Sequence, residues 1–201
     1  SWLKNKGRRV GEVAAPIVHF GAIPSVRERL GKDARNLRML ELRCSEDPTD
    51  HVGLTYLARE LIRVGQVDRA RAEIDKAWRV RLKSLDNSAP IIPIATIRAH
   101  LMLQAGDAEG ALSTMESTQK LGLPHPNIPL LMGSALELLA TQRADEATSL
   151  LSSAKNSYIE ATKFHGQKFS DEVLPGATSW VAATRLAVVL TLLGDPESAL
   201  D

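Results

Sequence analysis

The side chains that most often carry chemistry are sparse in this sequence. The single cysteine, Cys44, has no internal disulfide partner and is expected to be a buried structural thiol in a reducing cytoplasm. Neither a G-x-S-x-G nucleophile elbow nor a glycine-rich phosphate loop is present. The histidines lack the close i,i+4 spacing of a helical metal site; they are His19, His51, His100, His125 and His165. The residues therefore predict neither a complete catalytic site nor a bound cofactor within this chain.

Charge and hydropathy exclude two further classes of partner. A formal net charge of +1 over 201 residues gives no broad field for nucleic acid. The basic residues Lys4, Lys6, Arg8 and Arg9 are typical of a solvated loop rather than of a phosphate-binding strip. No apolar stretch approaches the roughly 20 residues that cross a bilayer. We therefore expect a cytoplasmic protein that neither binds nucleic acid nor spans a membrane.

A repeated local pattern indicates the elements that make up most of the chain. At four places a turn residue is followed five residues later by alanine: Gly65 to Ala70, Gly106 to Ala111, Gln142 to Ala147, and Gly194 to Ala199. Each site follows an apolar helical segment, and three lead into a second one, as in Ala70, Ile74 and Ala77. Steps of four and three residues keep these side chains on one helical face. The pattern predicts antiparallel helix pairs.

This spacing resembles the tetratricopeptide repeat, in which a glycine turn joins a first helix to an A-x3-F-x2-A second helix. The resemblance covers residues 48–201 and is best in the first repeat, at Leu57, Ala58, Gly65, Ala70, Ile74 and Ala77. It implies an all-α, right-handed superhelix of antiparallel helix pairs, with three complete pairs and a truncated fourth. Intervals longer than the family's period of about 34 residues place lengthened loops at 87–93 and 166–176.

Prolines and N-capping residues predict where helices begin and where a connector separates them. The pairs Asp47-Pro48 and Asp195-Pro196 favour helix starts. Residues 124–129, rich in proline, are expected to form a stiff connector between the second and third pairs. Because the chain begins at Ser1 and ends at Asp201, just after a helix start, we expect both ends to be cuts through a longer protein.

Residues 1–47 differ from the repeats and are expected to form a short appendage of strand, loop and helix. Residues 13–20 are a short apolar run ending before a glycine, and 32–44 place Leu37, Leu40 and Cys44 on one helical stripe. One strand and one helix cannot cover their own apolar surface. The predicted domains are therefore the appendage, 1–47, and the repeats, 48–201.

The appendage resembles the end of the catalytic domain of a bacterial family 2 glycosyltransferase. The matching residues are Ile17-Val18-His19-Phe20-Gly21, then Lys32, Arg35-Asn36-Leu37, Leu40-Glu41 and the repeat start at Asp47-Pro48. The resemblance implies that His19 helps bind Mn²⁺ or Mg²⁺ on a nucleotide sugar in an intact parent enzyme. The carboxylates of that site would lie on an Asp-x-Asp element upstream, so this chain alone is not expected to be an enzyme.

The first helix of each pair lines the concave groove of such repeats, which predicts a set of partner-binding positions. They grade from polar and cationic to apolar: Thr55, Arg59, Arg63, Thr96, His100, Gln104, Leu136 and Val188. Such a groove favours a polypeptide segment with an acidic end and an apolar end. Alternatively, the chain's own continuation covers the apolar half.

Three functions fit these features. The preferred prediction is a protein-interaction or substrate-positioning region, the non-catalytic C-terminal part of a metal-dependent family 2 glycosyltransferase. Its partner would be a polypeptide segment or the parent's own catalytic domain. The alternatives are a free-standing tetratricopeptide adaptor and the repeat domain of a regulatory protein.

Overall fold

In a computed structural model, the structure describes Ser25 and residues 29–83, 91–195 and 197–199. These residues form α-helices and short 3₁₀ turns but no strand, which confirms the predicted all-α class. The helices are α1 Lys32–Glu46, α2 His51–Arg63, α3 Val67–Lys83, α4 Ile91–Gln104, α5 Ala108–Gln119, α6 Asn127–Gln142, α7 Ala147–Thr162 and α8 Trp180–Leu192. The strand predicted at 13–20, with His19, lies outside the described residues.

The chain divides into two compact units, 1–36 and 37–201. In the first, the described residues are Ser25 and 29–36, which include the start of α1. In the second, each helix contacts the next one from α2 to α8, and the pairs are α2 with α3, α4 with α5, and α6 with α7. The first helices also touch across the pairs, α2 with α4 and α4 with α6. These are the helix pairs that the repeats predict.

The turn glycines end their helices in the same way, which shows that the sequence repeat is also a structural one. Gly65, Gly106 and Gly194 each have a φ of 80°, a region that glycine enters without steric cost. The following N–H reaches five residues back to a carbonyl, as from Gln66 to Leu61 at 2.8 Å. Where Gln142 replaces glycine, the chain instead makes the 3₁₀ turn Ala144–Glu146 before α7.

The core combines large and small side chains from both helices of each pair. Leu54 and Leu61 of α2 pack with Ala70, Ile74 and Ala77 of α3, and all five are fully buried. Alanine at a crossing allows the helix axes to approach closely. One cluster extends from α1 to α6 and includes the buried thiol of Cys44, whose pKa is raised by burial; a second joins α6, α7 and α8.

Three predicted helix boundaries are wrong by a few residues. Residues 91–93 of the loop predicted at 87–93 lie inside α4. Helix α2 begins at His51 because Asp50, not Asp47, accepts the capping bond from the Gly53 N–H at 2.8 Å. Residues 127–129 of the predicted connector lie inside α6. Pro129 is tolerated there because its missing N–H would have no partner in the first helical turn.

No helix in the described part of the chain is long and apolar enough to cross a membrane.

Candidate functional site: the face of the first helices and the strap across it

The connection between α7 and α8, residues 163–179, contacts the first helices α2 and α6. We call it the strap. The Glu172 carboxylate pairs with Arg59 of α2, and Leu174 packs against both hydrophobic clusters. Pro175 is part of the lining of a cavity to which α4, α6, α7 and α8 also contribute. The lengthened loop predicted at 166–176 therefore runs along the face on which the partner residues were predicted.

The side chain of Asn127, the first residue of α6, binds the backbone of the strap. Its amide nitrogen donates to the carbonyl of Glu172 at 3.0 Å, and its amide oxygen accepts from the N–H of Leu174 at 2.8 Å. The same nitrogen donates to Thr96 Oγ1 of α4 at 3.2 Å. The side chain is 1% exposed, so these bonds form away from water, where an unsatisfied amide is costly. The contact requires a backbone of suitable conformation but no particular side chain.

A second contact fixes the beginning of the strap. The ring of His125 meets Phe169 edge-on, with centroids 5.1 Å apart, and Phe169 meets Phe164 in the same manner. His125 Nδ1 accepts from the Asn127 N–H at 3.3 Å, while Nε2 is buried without a hydrogen-bond partner. Burial lowers the pKa of His125, against the opposing effect of Asp171. The contact between His125 and the strap therefore favours the neutral imidazole.

A cavity of about 820 Å³ continues from Leu174 and Pro175. Its walls are mainly apolar, and it lies within the roughly 300–1,000 Å³ typical of ligand pockets. The lining residues that α4, α6 and α8 contribute include His100, Leu103, Gln104, Leu130, Leu131, Ser134, Leu138, Val181, Arg185 and Leu192. The space is thus an apolar cleft with a few polar groups at its edge.

Glu137 is the acidic group of this cleft, and it joins three helices. It accepts a hydrogen bond from the hydroxyl of Tyr158 in α7 and lies 3.8 Å from Arg185 of α8. Burial and the Glu137 carboxylate raise the pKa of Tyr158, so the phenol remains a donor. The Tyr158 ring packs directly on Gly133, where an added Cβ would lie 2.6 Å from the ring. This cluster defines the wall between α6 and α7.

The predicted groove residues of α2 already have partners within the chain. Thr55 is 7% exposed and donates to the His51 carbonyl at 2.6 Å. Arg59 pairs with Glu172 of the strap, and Arg63 pairs with Glu60 on its own helix. Arg59 thus contacts the strap.

The remaining predicted groove residues lie in different surroundings. Thr96 receives the Asn127 bond, and His100 and Gln104 line the cavity with their side chains 3.2 Å apart. Leu136 is 8% exposed and packs in the second core cluster, so it does not line the cavity. Val188 is 43% exposed on α8.

Sequence reasoning missed Asn127, Leu138 and the strap. The sequence places Asn127 in a proline-rich connector, and no capping signal marks it, because Pro126 is the N-cap and no side chain caps this helix. On α6 the register was projected onto Leu136, whereas Ser134 and Leu138 line the cavity. No local pattern predicts which loop folds back over the helices.

Arg98 illustrates a polar cluster with a structural role. Its Nε donates to Asp75 at 2.7 Å, its Nη1 donates to Thr114, and its guanidinium lies 5.5 Å from the Trp78 ring centroid. These contacts join α4 to α3 and α5. Among the described residues, no group of three or more histidine, cysteine or acidic side chains is placed to hold a metal ion.

Comparison with solved structures identifies the fold. MamA from Desulfovibrio magneticus RS-1 is 15% identical, with 88% of this chain and 84% of that chain covered at a TM-score of 0.62. MamA from AMB-1 is 16% identical, with 87% of each chain covered and a TM-score of 0.62. MamA from MSR-1 is 19% identical, with 87% and 84% covered and a TM-score of 0.58.

No protein-family model and no curated sequence matches the chain. At these identities the structural likeness speaks for the fold alone. The predicted tetratricopeptide-type fold is therefore confirmed, and the chain is a stack of such helix pairs over most of its length.

Proposed function

We propose that the repeat stack binds a polypeptide segment on the face of its first helices. The supporting observation is the apolar cleft of about 820 Å³, to which α4, α6 and α8 contribute most of the lining and α7 contributes Ala147 and Leu151. Stacked helical repeats place successive first helices side by side and so offer an extended surface. An extended or helical peptide can lie along such a surface.

The lining of the cleft indicates the chemistry of the peptide. Leu131, Leu138 and Leu192 would receive one or two large apolar side chains. Gln104 and Arg185 lie at the edge, where they can bond the backbone or an acidic group of the peptide. Burial of the apolar side chains would supply most of the affinity.

Peptides selected from a random library on this chain test the proposal, with affinities measured by fluorescence polarisation. Leu192→Asp should weaken them at least ten-fold, because it places a carboxylate in the apolar cleft. Leu82→Asp is the matched control. Both leucines lie in the last turn of a helix and are similarly exposed, at 62% and 55%, but Leu82 lies away from the cleft. Peptides that bind both variants equally well would refute the assignment.

We also propose that this chain is the C-terminal, non-catalytic region of a longer protein, a family 2 glycosyltransferase that acts in the cytoplasm. The support is the sequence pattern from Ile17 to Pro48. In that protein His19 would help bind Mn²⁺ or Mg²⁺ on the diphosphate of a nucleotide sugar. The catalytic domain itself would then be a further candidate partner of the repeats.

The open reading frame of the longer protein tests this second proposal first. It should encode an Asp-x-Asp element upstream of Ser1, and its absence would favour a free-standing adaptor. Hydrolysis of nucleotide sugars with Mn²⁺ by the intact protein, compared with His19→Ala, then tests the ligand. An unchanged rate in the variant would remove His19 from the metal site.

A further inference from the structure

We propose that strap residues 171–175 are a displaceable internal ligand, which occupies the polar end of the peptide site until a partner of similar pattern replaces it. The pattern is an acidic residue followed two positions later by leucine and then proline, as in Glu172, Leu174 and Pro175. This inference rests on the proposed function. It adds how the site is regulated and what its partner carries.

The first argument is the way in which Asn127 holds the strap. One buried amide donates to the carbonyl of Glu172 and accepts from the N–H of Leu174. A single side chain that satisfies a donor and an acceptor two residues apart recognises a peptide backbone, whichever chain supplies it. Its orientation is set by α6 and by the further bond to Thr96, so the site is organised in advance.

The second argument is the agreement between the strap and the surface beneath it. The acidic Glu172 meets the cation Arg59, and Leu174 with Pro175 enters the apolar cleft. A peptide that placed its own acidic and apolar residues at these positions could continue into the open part of the cavity. It would then make apolar contacts that the strap does not make.

The third argument is that the ion pair at the acidic end of this stretch is weak. Glu172 and Arg59 remain 66% and 39% exposed in their side chains, and ion pairs that exposed contribute little to stability. The contact between His125 and Phe169 anchors the segment before 171. Displacement of residues 171–175 therefore breaks the Arg59 pair, the two Asn127 bonds and the packing of Leu174, and leaves the anchor in place.

The strap has the advantage of a tether, which raises its effective concentration at the site. A partner in trans must overcome that advantage through its added contacts in the cleft. The isolated strap sequence lacks those contacts. It should bind poorly to the native chain and well to a chain whose own strap has been removed.

The test uses a labelled peptide with the sequence of residues 168–176 and the full chain with 171–175 replaced by five Gly and Ser residues. By fluorescence polarisation, the peptide should bind the replaced chain at least ten-fold more tightly than the native chain. A scrambled peptide is the control, and Asn127→Ala in the replaced chain should remove the binding. Equal affinity for native and replaced chains, or no binding to a folded replaced chain, would overturn the proposal.

A second variant keeps the test decisive if the replaced chain does not fold. Glu172→Arg in the native chain changes one exposed side chain and puts like charges at Arg59, so it should raise the affinity for the native-sequence peptide several-fold. No increase would count against the proposal. If library-selected peptides still depend on Leu192 while the strap peptide fails, the proposed function stands and the internal ligand alone is wrong.

Discussion

Replacing Asn127 by alanine should release the strap without unfolding the helix stack. The variant loses the two bonds that join the amide to the Glu172 carbonyl and the Leu174 N–H. A typical hydrogen bond contributes about 0.5–1.5 kcal/mol net, so closure of the strap should lose about 1–3 kcal/mol. At about 1.4 kcal/mol for each factor of ten, the open fraction should rise roughly 5- to 150-fold. The cost is limited to this range because the freed backbone groups can bond water once the strap opens.

Hydrogen exchange of the Leu174 amide measures the opening directly, since that amide is protected only by Asn127. We expect it to exchange faster in the variant by the factor given above, while the Leu101 amide inside α4 changes much less. Gln142→Ala is the matched control, because its amide also bonds a backbone carbonyl, that of Gly106 at 2.9 Å, away from the strap. An unchanged exchange rate of the Leu174 amide in the Asn127 variant would show that Asn127 does not hold the strap.

Three further predictions concern stability. Gly133→Ala should lower the urea midpoint, because overpacking against Tyr158 costs about 1–3 kcal/mol and exceeds the roughly 1 kcal/mol gain in helix propensity; a raised midpoint would contradict the packing. Burial lowers the pKa of His125, so the unfolded chain binds the proton more readily. Stability should then fall as pH drops from about 6.5, and His125→Phe should show a smaller fall; an identical pH profile would refute this cause. Arg98→Met should lower the free energy of unfolding by about 1.5–3 kcal/mol, since it removes the charged bond to Asp75; a loss below 0.5 kcal/mol, measured by urea unfolding, would mean that the cluster is not stabilising.

The repeat pattern was enough to predict the fold because its signals are local. A glycine that must adopt positive φ, such as Gly65, and alanines at steps of four and three residues act within one helical hairpin. Each hairpin then packs mainly on its neighbours, so long-range information adds little. Where the local signal was ambiguous, at Asp47-Pro48 and at Pro129, the predicted boundaries were displaced.

The candidate site was less predictable because it depends on contacts between distant positions. Glu172 lies more than a hundred residues from Arg59 in the sequence, and Leu174 is 47 residues from Asn127. Neither pairing follows from periodicity. The residues predict that Arg59 meets the acidic end of a partner. In the structure Arg59 pairs with Glu172 of the same chain, and the external partner stays a prediction.

Mapping a library-selected peptide on the chain by NMR tests the central claim most directly. With the leucine methyl groups labelled, the bound peptide should shift the signals of Leu131, Leu138 and Leu192, which line the cleft. The signal of Leu82 on α3 should stay in place. Shifts confined to Leu82 and the second helices, with the cleft signals unchanged, would contradict a peptide site on the face of the first helices.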